Sequence, residues 1–256
     1  DLACVYCRPG RRDGYLPSAR RLDARAWQTL VEVLVDQGVR RVRLTGGEPL
    51  VHPEVLEIVD RMAAIPGVED LALTTNGTLL QGMAKRLVRA GLRRINVSLD
   101  SLDPNRFFRL TRGGRLQQVL DGIAAARDAG VTELKLNTVA LRGENEHELA
   151  AIAAWAFEHD VTPRFLELMG VGQASRLKHM TMPYGEIRAC LSGLLTEDEP
   201  VGTPDRGPAR YVSTRDGGHR VGFITGASDS FCLGCDRLRV TSDGHLRPCL
   251  ARSQSV

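Results

Sequence analysis

Five short apolar or β-branched runs, each parted from the next by a helix-length stretch, constrain this chain more than any other feature. They are Arg41–Thr45 (RVRLT), Asp70–Thr75 (DLALTT), Arg94–Leu99 (RINVSL), Leu134–Leu141 (LKLNTVAL) and Arg164–Met169 (RFLELM). Between them the helical period recurs. Asp23 is a good N-cap, Trp27, Leu30, Val31 and Leu34 fall at i, i+3, i+4 and i+7, and Gly38 closes the stretch. Leu116, Val119, Leu120, Ile123 and Ala124 repeat the pattern up to Gly130, and Glu146–His159 is an alanine-rich further helix. Strands separated by single helices pair in parallel through right-handed crossovers and present their functional loops at their carboxyl ends. Five or six such units are visible in 256 residues, and eight would need more chain, so the expected fold is an α/β partial barrel.

The alternation breaks after about Glu197. EDEPVGTPDRGPAR is rich in Pro, Gly and charge and reads as an exposed connection, followed by RVGFIT and by LRVTSDGHLRPCL, a hairpin turning at Ser242–Gly244. The expected division is therefore a core over 1–196 and a β-rich module over 197–256 that carries three of the six cysteines. A net charge of +3 is too weak to imply nucleic acid or a membrane surface. No apolar run approaches the roughly 20 residues that span a bilayer, which makes the cytoplasm the default location.

In a reducing compartment two C-x-x-C pairs point to metal or redox chemistry rather than to disulfides. Cys4 and Cys7 form one pair; Cys232 and Cys235 form the other, with thirteen residues to Cys249. Spacing alone suits zinc and iron–sulfur equally, and the four thiols of the two pairs could also make a zinc ribbon. Cys190 has no partner and is expected to be a small buried hydrophobe. TGGEPL, Thr45 to Leu50, follows a strand, where its glycines allow a tight turn or close approach to a ligand. Arg41 and Arg43 alternate along one strand and Arg237 and Arg239 along another, so each pair shares a face and could grip phosphate, although solvated surface arginines look the same in sequence.

Together CVYC, TGGEPL, TTNG and INVSLD resemble the radical S-adenosylmethionine (radical SAM) enzymes, whose C-x-x-x-C-x-x-C run carries an aromatic before its last cysteine. Cys4 and Cys7 match the second and third cysteines, and the first is expected one residue ahead of Asp1. The C-x-x-C–thirteen–C tail with D-R-L-R, together with GVRRVRLTGGEPL, AGLRRINVSLDSLD, RFLELMGVG and GPARYV…GFITGASDSFC, resembles the GTP 3′,8-cyclase family of molybdenum cofactor biosynthesis nearly end to end.

That resemblance implies a radical SAM lyase with a partial (β/α)6 TIM-like barrel and a C-terminal module binding a second iron–sulfur cluster. It implies two [4Fe–4S] clusters, one on Cys4, Cys7 and the cysteine ahead of Asp1, the other on Cys232, Cys235 and Cys249. S-adenosylmethionine would be held by Tyr6, Gly47, Glu48, Ser98 and Met169, with Asn137 a further candidate. GTP would be held by Arg41, Arg43, Thr74, Lys135, Arg164, Arg237, Leu238 and Arg239. The implied reaction takes the C3′ hydrogen of GTP with a 5′-deoxyadenosyl radical and joins C3′ to C8. Cyclic pyranopterin monophosphate synthase is the implied pathway partner, a protein reductant supplies electrons, and a homodimer is compatible with the family. Two departures stand out. VHPEV follows Leu50 where family members usually show a basic pair, which leaves room for a paralogue with another nucleotide or a peptide as substrate, and the sequence stops at Val256, ahead of the family's Gly-Gly tail. A zinc-stabilised binding protein is the rival from outside the enzymes.

Overall fold

The computed structural model describes residues 1–8, 20–202, 207–229 and 235–249. The strand–helix alternation takes the form α1 (Ala24–Asp36), β1 (Arg41–Leu44), α2 (Val55–Ala63), β2 (Asp70–Thr75), α3 (Leu80–Arg89), β3 (Arg94–Ser98), α4 (Pro104–Thr111), α5 (Leu116–Asp128), β4 (Glu133–Ala140), α6 (Leu149–Glu158) and β5 (Thr162–Glu167). Asp23 caps α1 by accepting from the Ala26 backbone N–H at 2.8 Å, and Gly38 and Gly130 follow α1 and α5 at φ 96° and 86°, as the sequence predicts.

Strands β1 to β5 lie in chain order and pair in parallel, as crossover helices require. The sixth parallel strand is β8 (Arg220–Ile224), which pairs with β5 through Arg164–Gly222, Phe165–Phe223 and Leu166–Ile224. It is reached not by a simple helix crossover but through α7 (Tyr184–Cys190) and two antiparallel strands, β6 (Val201–Gly202) and β7 (Arg210–Ser213), which extend the same sheet. Much of the stretch beyond residue 197 is thus continuous with the barrel sheet. The hairpin comes last, as β9 (Arg239–Val240) and β10 (Leu246–Arg247) around Gly244 at φ 88°.

Alternate residues decide what each face of the sheet does. On β4, Leu134, Leu136 and Ala140 are buried against the helical layer, whereas Glu133, Lys135 and Asn137 occupy the other face. The outward core joins these to Leu73, Ile95, Val97, Phe165 and Phe223 from the other strands and to Leu87, Ile123 and Ile152 from the helices. The inner face is polar and strongly curved. Arg164 on β5 donates to Asn96 Oδ1 on β3 at 2.6 Å, across the intervening β4, which a flat sheet would not permit.

Cys190 is exposed at the end of α7. The buried stripe of that turn runs through Ile187 and Leu191, four residues apart, and Cys190 falls beside it. The expectation of a buried thiol is overturned.

Candidate active site

Three loops at the carboxyl ends of the strands meet the N-terminal cysteine turn. Cys7 N and Arg8 N both donate to Cys4 O, at 3.0 and 3.1 Å, closing the turn that holds the two thiols. Tyr6 fastens it by donating from its hydroxyl to Asp100 Oδ2 at 2.6 Å, and Val5 N donates to Leu110 O at 2.9 Å. Asp100, just past β3, is buried and also accepts from Val139 N at 2.9 Å. Burial raises its carboxyl to about 6 against the lowering effect of those two bonds. Asp1 accepts from Asn76 Nδ2 and the Thr78 hydroxyl, both at 2.6 Å, so the TTNG turn after β2 holds the segment ahead of the cysteines.

The TGGEPL turn lies alongside. A Cβ on Gly47 would sit 2.7 Å from Arg8 Nη2, so the glycine leaves room for the guanidinium that follows the cysteines. The Glu48 side chain is buried and engaged within the protein: it accepts from Leu50 N at 3.0 Å, the Thr75 hydroxyl at 2.7 Å and Asn76 N at 2.7 Å. Its carboxylate therefore shapes the turn, leaving backbone groups to face a ligand. In VHPEV, His52 Nδ1 accepts from Glu54 N and Glu54 accepts from Ala24 N at the start of α1. These polar side chains cap backbone.

Inside the barrel the cations gather. Arg164, 4% exposed, donates to Asn96 Oδ1 and, through Nε, to Asn137 Oδ1 at 2.9 Å, and it bonds the Tyr211 hydroxyl. Asn137 thus serves as an acceptor for Arg164. Gly222 makes this possible, because a Cβ there would lie 2.7 Å from Arg164 Cγ and 2.8 Å from Tyr211. Desolvation, and then repulsion from Arg164, Arg94 and Arg237, holds the Arg43 guanidinium below its usual range. Arg237, from the tail, therefore stands near a cluster built on β1, β3 and β5. Thr74 lies on the same face and accepts from Asn96 Nδ2 at 3.2 Å. Ser98 ends β3 beside Asn137, and Met169 lies in the loop beyond β5, its carbonyl accepting from Val171 N.

Sequence reasoning missed the anions of this interior. Arg94 pairs with both Asp70 on β2 and Glu133 on β4, and Glu133 also accepts from Lys135 at 2.7 Å. The available signal is that β2, β3 and β4 each open on a charged residue of alternating sign, Asp70, Arg94 and Glu133. It also missed Glu167, buried at the end of β5, which accepts from Tyr184 N, Ala227 N and Ser228 N, each at 2.7 Å, and so fixes the loop after β8.

The tail returns to the first strand. β8 stands at one end of the parallel arc and β1 at the other, yet Asp236 pairs with Arg41 at 3.1 Å. Leu22 N donates to Ser242 O at 2.8 Å and Arg20 pairs with Asp243 at 3.5 Å, so residues 235–249 lie against the β1 side of the barrel. Arg239 is in β9, whereas Arg237 and the exposed Leu238 precede it, so the two arginines do not share a strand. Cys232 lies outside the described residues. The Arg237 backbone N–H, then its side chain and the charge of Arg239, lower the exposed Cys235 thiol below its ordinary value.

Both thiol groups fit iron–sulfur chemistry in donor type. Cys4, Cys7, Cys235 and Cys249 are all free, and soft thiolates are what such clusters bind. Among the described residues no three His, Cys, Asp or Glu side chains converge.

Comparisons with known proteins identify the family. The Radical SAM superfamily matches residues 1–156, and the family Molybdenum Cofactor Synthesis C matches residues 161–256. A GTP 3′,8-cyclase of Pelotomaculum thermopropionicum is 44% identical over 258 residues, covering 100% of this chain and 79% of that protein. A GTP 3′,8-cyclase of Thermodesulfovibrio yellowstonii is 38% identical, covering 100% of this chain and 80% of its own length. Among solved structures, Streptococcus suis SuiB bound to precursor peptide SuiA superimposes with a TM-score of 0.62 at 17% identity, over 75% of this chain and 42% of that one. TYW1 with a lysine-pyruvate adduct gives 0.54 at 14%, over 77% and 72%; at these identities the likeness is one of fold. The chain belongs to the radical SAM superfamily and, within it, to the GTP 3′,8-cyclase family.

Proposed function

We propose that this chain converts GTP to (8S)-3′,8-cyclo-7,8-dihydroguanosine 5′-triphosphate in molybdenum cofactor biosynthesis. The observation that carries the reading is a barrel interior gathering Arg43, Arg94, Lys135, Arg164 and Arg237, in a chain 44% identical over its full length to a GTP 3′,8-cyclase. A triphosphate with about four negative charges needs several fixed cations, and guanidinium groups grip it bidentately.

When bound, a [4Fe–4S] cluster with S-adenosylmethionine supplies the carbon radical that takes the ribose hydrogen. Cys4 and Cys7 would be its ligands from the described residues, and Cys235 and Cys249, with Cys232, would hold the second cluster in the 197–256 module. Tyr6 holds the cysteine turn against Asp100, which fixes the place of the thiols that would hold that cluster. The TGGEPL turn, braced by Glu48, offers its backbone to the amino group of methionine. Asn96, Asn137 and Tyr211 orient Arg164 before the phosphates arrive, which lowers the ordering cost of binding. Arg41 gives up its exposed pair with Asp236 at little cost. Arg237 and Arg239 bring the second-cluster segment to the same charge. Ser98, Thr74 and Met169 complete the lining. No helix among the described residues is long and apolar enough to cross a membrane. A reductant protein and cyclic pyranopterin monophosphate synthase are the partners this reading implies.

The test supplies S-adenosylmethionine, dithionite and GTP deuterated at C3′ to the full-length, anaerobically reconstituted protein. Deuterium in the 5′-deoxyadenosine, read by mass spectrometry, is the expected outcome. Deoxyadenosine without deuterium would retain the radical chemistry and remove GTP as its substrate.

A further inference from the structure

Four charged side chains form one continuous line across three strands. Asp70 on β2 pairs with Arg94 Nη1 on β3, Arg94 Nε pairs with Glu133 Oε2 on β4, and Glu133 Oε1 accepts from Lys135 Nζ at 2.7 Å. The signs alternate, and the two oxygens of Glu133 are divided between two cations. Register makes the line: Arg94 lies directly opposite Glu133 on one side and Ala72 on the other, and Asp70 is two residues before Ala72 on the same face. Only Lys135 at the end of the line belongs to the predicted triphosphate contacts.

We propose that Glu133 is a positioning residue of the triphosphate pocket, holding the Lys135 ammonium in place and charged while the pocket is empty, with the Asp70–Arg94 pair fixing Glu133 in turn. The inference rests on the reading of Lys135 as a phosphate contact. The Lys135 side chain is only 4% exposed, and an ammonium so buried sheds its proton unless an anion holds it. The neighbours facing it from either side are cations, Arg94 on β3 and Arg164 on β5, with Arg43 on β1 facing both of them. Asp70 on β2 is taken up by Arg94. Among the described residues Glu133 is the one carboxylate bonded to Lys135. The balance leaves Lys135 at about 8, lowered first by burial and then by the two arginines, with Glu133 opposing. Glu133, for its part, is brought down to about 2, because the bonds and charges of Lys135 and Arg94 outweigh its own burial. Lys135 is therefore charged at neutral pH by a narrow margin, and Glu133 supplies that margin.

Binding of GTP to full-length reconstituted protein, without S-adenosylmethionine so that nothing turns over, tests this by calorimetry from about pH 7 to about pH 9.5. Wild-type affinity should begin to fall above about pH 8. In Glu133→Gln the fall should begin at least about one pH unit lower, so that this variant binds at least about fivefold more weakly at pH 8, approaching about tenfold at pH 9.5, yet within about threefold of wild type at pH 7. Lys135→Met should bind weakly at every pH. Glu133→Gln/Lys135→Arg, whose guanidinium does not titrate in this range, should restore binding and flatten the profile. Should Glu133→Gln not fold, Asp70→Asn loosens the same line and should move the profile in the same direction by less. A Glu133→Gln profile parallel to wild type, or a double variant that stays weak, overturns the role of Glu133. If Lys135→Met binds like wild type throughout, it is the phosphate contact that fails, and the inference falls with it.

Discussion

Cys4 and Cys235 are both free thiols assigned to clusters, and their surroundings are opposite. Cys4 sits half-buried in a turn beside Asp100 and Cys7, and burial first, then Asp100 and Cys7, pushes its thiol up to about 12. Cys235 is exposed and lies under the Arg237 backbone N–H and two guanidinium groups, which lower it. The difference follows from what each segment is attached to. The N-terminal turn is sewn into the barrel by Tyr6, Val5 and Asp1, and so Cys4 is partly withdrawn from water beside the buried Asp100. Among the described residues the tail meets the barrel side through the Arg41–Asp236 and Arg20–Asp243 pairs and the Leu22–Ser242 backbone bond, which leaves Cys235 in water beside Arg237 and Arg239. One thiol is held protonated by its burial and needs a metal to drive off the proton, whereas the other gives its proton up more readily.

The largest effect that separates the two regions is functional. Cys4→Ser should abolish formation of 5′-deoxyadenosine, by more than about a hundredfold, because even partners of metal ligands cost about 10- to 100-fold when removed. Cys235→Ser should leave deoxyadenosine formation in place and abolish the cyclised nucleotide. Chromatography of one reaction mixture reads both products. If Cys235→Ser also lost deoxyadenosine, the two regions would be a single functional unit and the division drawn here would break.

A smaller effect sharpens the electrostatic half of the contrast. In cluster-free protein at pH 8, Cys235 should be alkylated by iodoacetamide at least about thirtyfold faster than Cys4. A pKa of about 12 against one below 9 gives about a thousandfold difference in thiolate, and lower intrinsic nucleophilicity returns about half of that on a logarithmic scale. Peptide mapping by mass spectrometry at timed intervals measures it. Equal rates would mean that the N-terminal turn opens freely without its metal.

The barrel was legible because the parallel strands carry mainly apolar or β-branched residues on their outward faces, and five such runs were found with their ends within two residues of the structure. What stayed hidden depended on contacts distant in sequence. RVGFIT reads as a strand, but nothing local says that it will pair with β5 at Arg164–Gly222, because a two-sided buried strand carries no mark of its partner. Arg43, Lys135 and Arg164 were nominated as cations, and the structure brings them together on the curved inner face. Asp70, Arg94 and Glu133 went unnoticed because a charged residue at the start of a strand usually marks only the edge of the apolar run. Glu48 reads as part of a ligand-facing motif, and only its three donors reveal that the carboxylate is spent inside the protein. Cys190 illustrates the opposite error, since a composition-based prior for burial ignored where the stripe of α7 falls.

The smallest effect concerns the anchor that holds the first region against the barrel. Tyr6→Phe removes the hydroxyl that donates to Asp100 at 2.6 Å and leaves a buried carboxylate oxygen unmet. Unfolding of the cluster-free protein should then be easier by about 1–3 kcal/mol, the cost of stranding a buried acceptor. The carboxyl of Asp100, already about 6, should rise further, because the bond from Tyr6 is one of the two that lower it. The loss should therefore be greatest above that pH, where the carboxylate is charged, and should shrink as acid protonates it. Asp100→Asn made in the Tyr6→Phe background should recover part of the loss, since a neutral amide costs less to bury than an unmet charge. Urea unfolding at about pH 5 and about pH 8 reads all three proteins. A loss of equal size at both pH values would mean that Tyr6 contributes packing alone, and that the cysteine turn is held by its backbone bonds to Leu110 and Thr111.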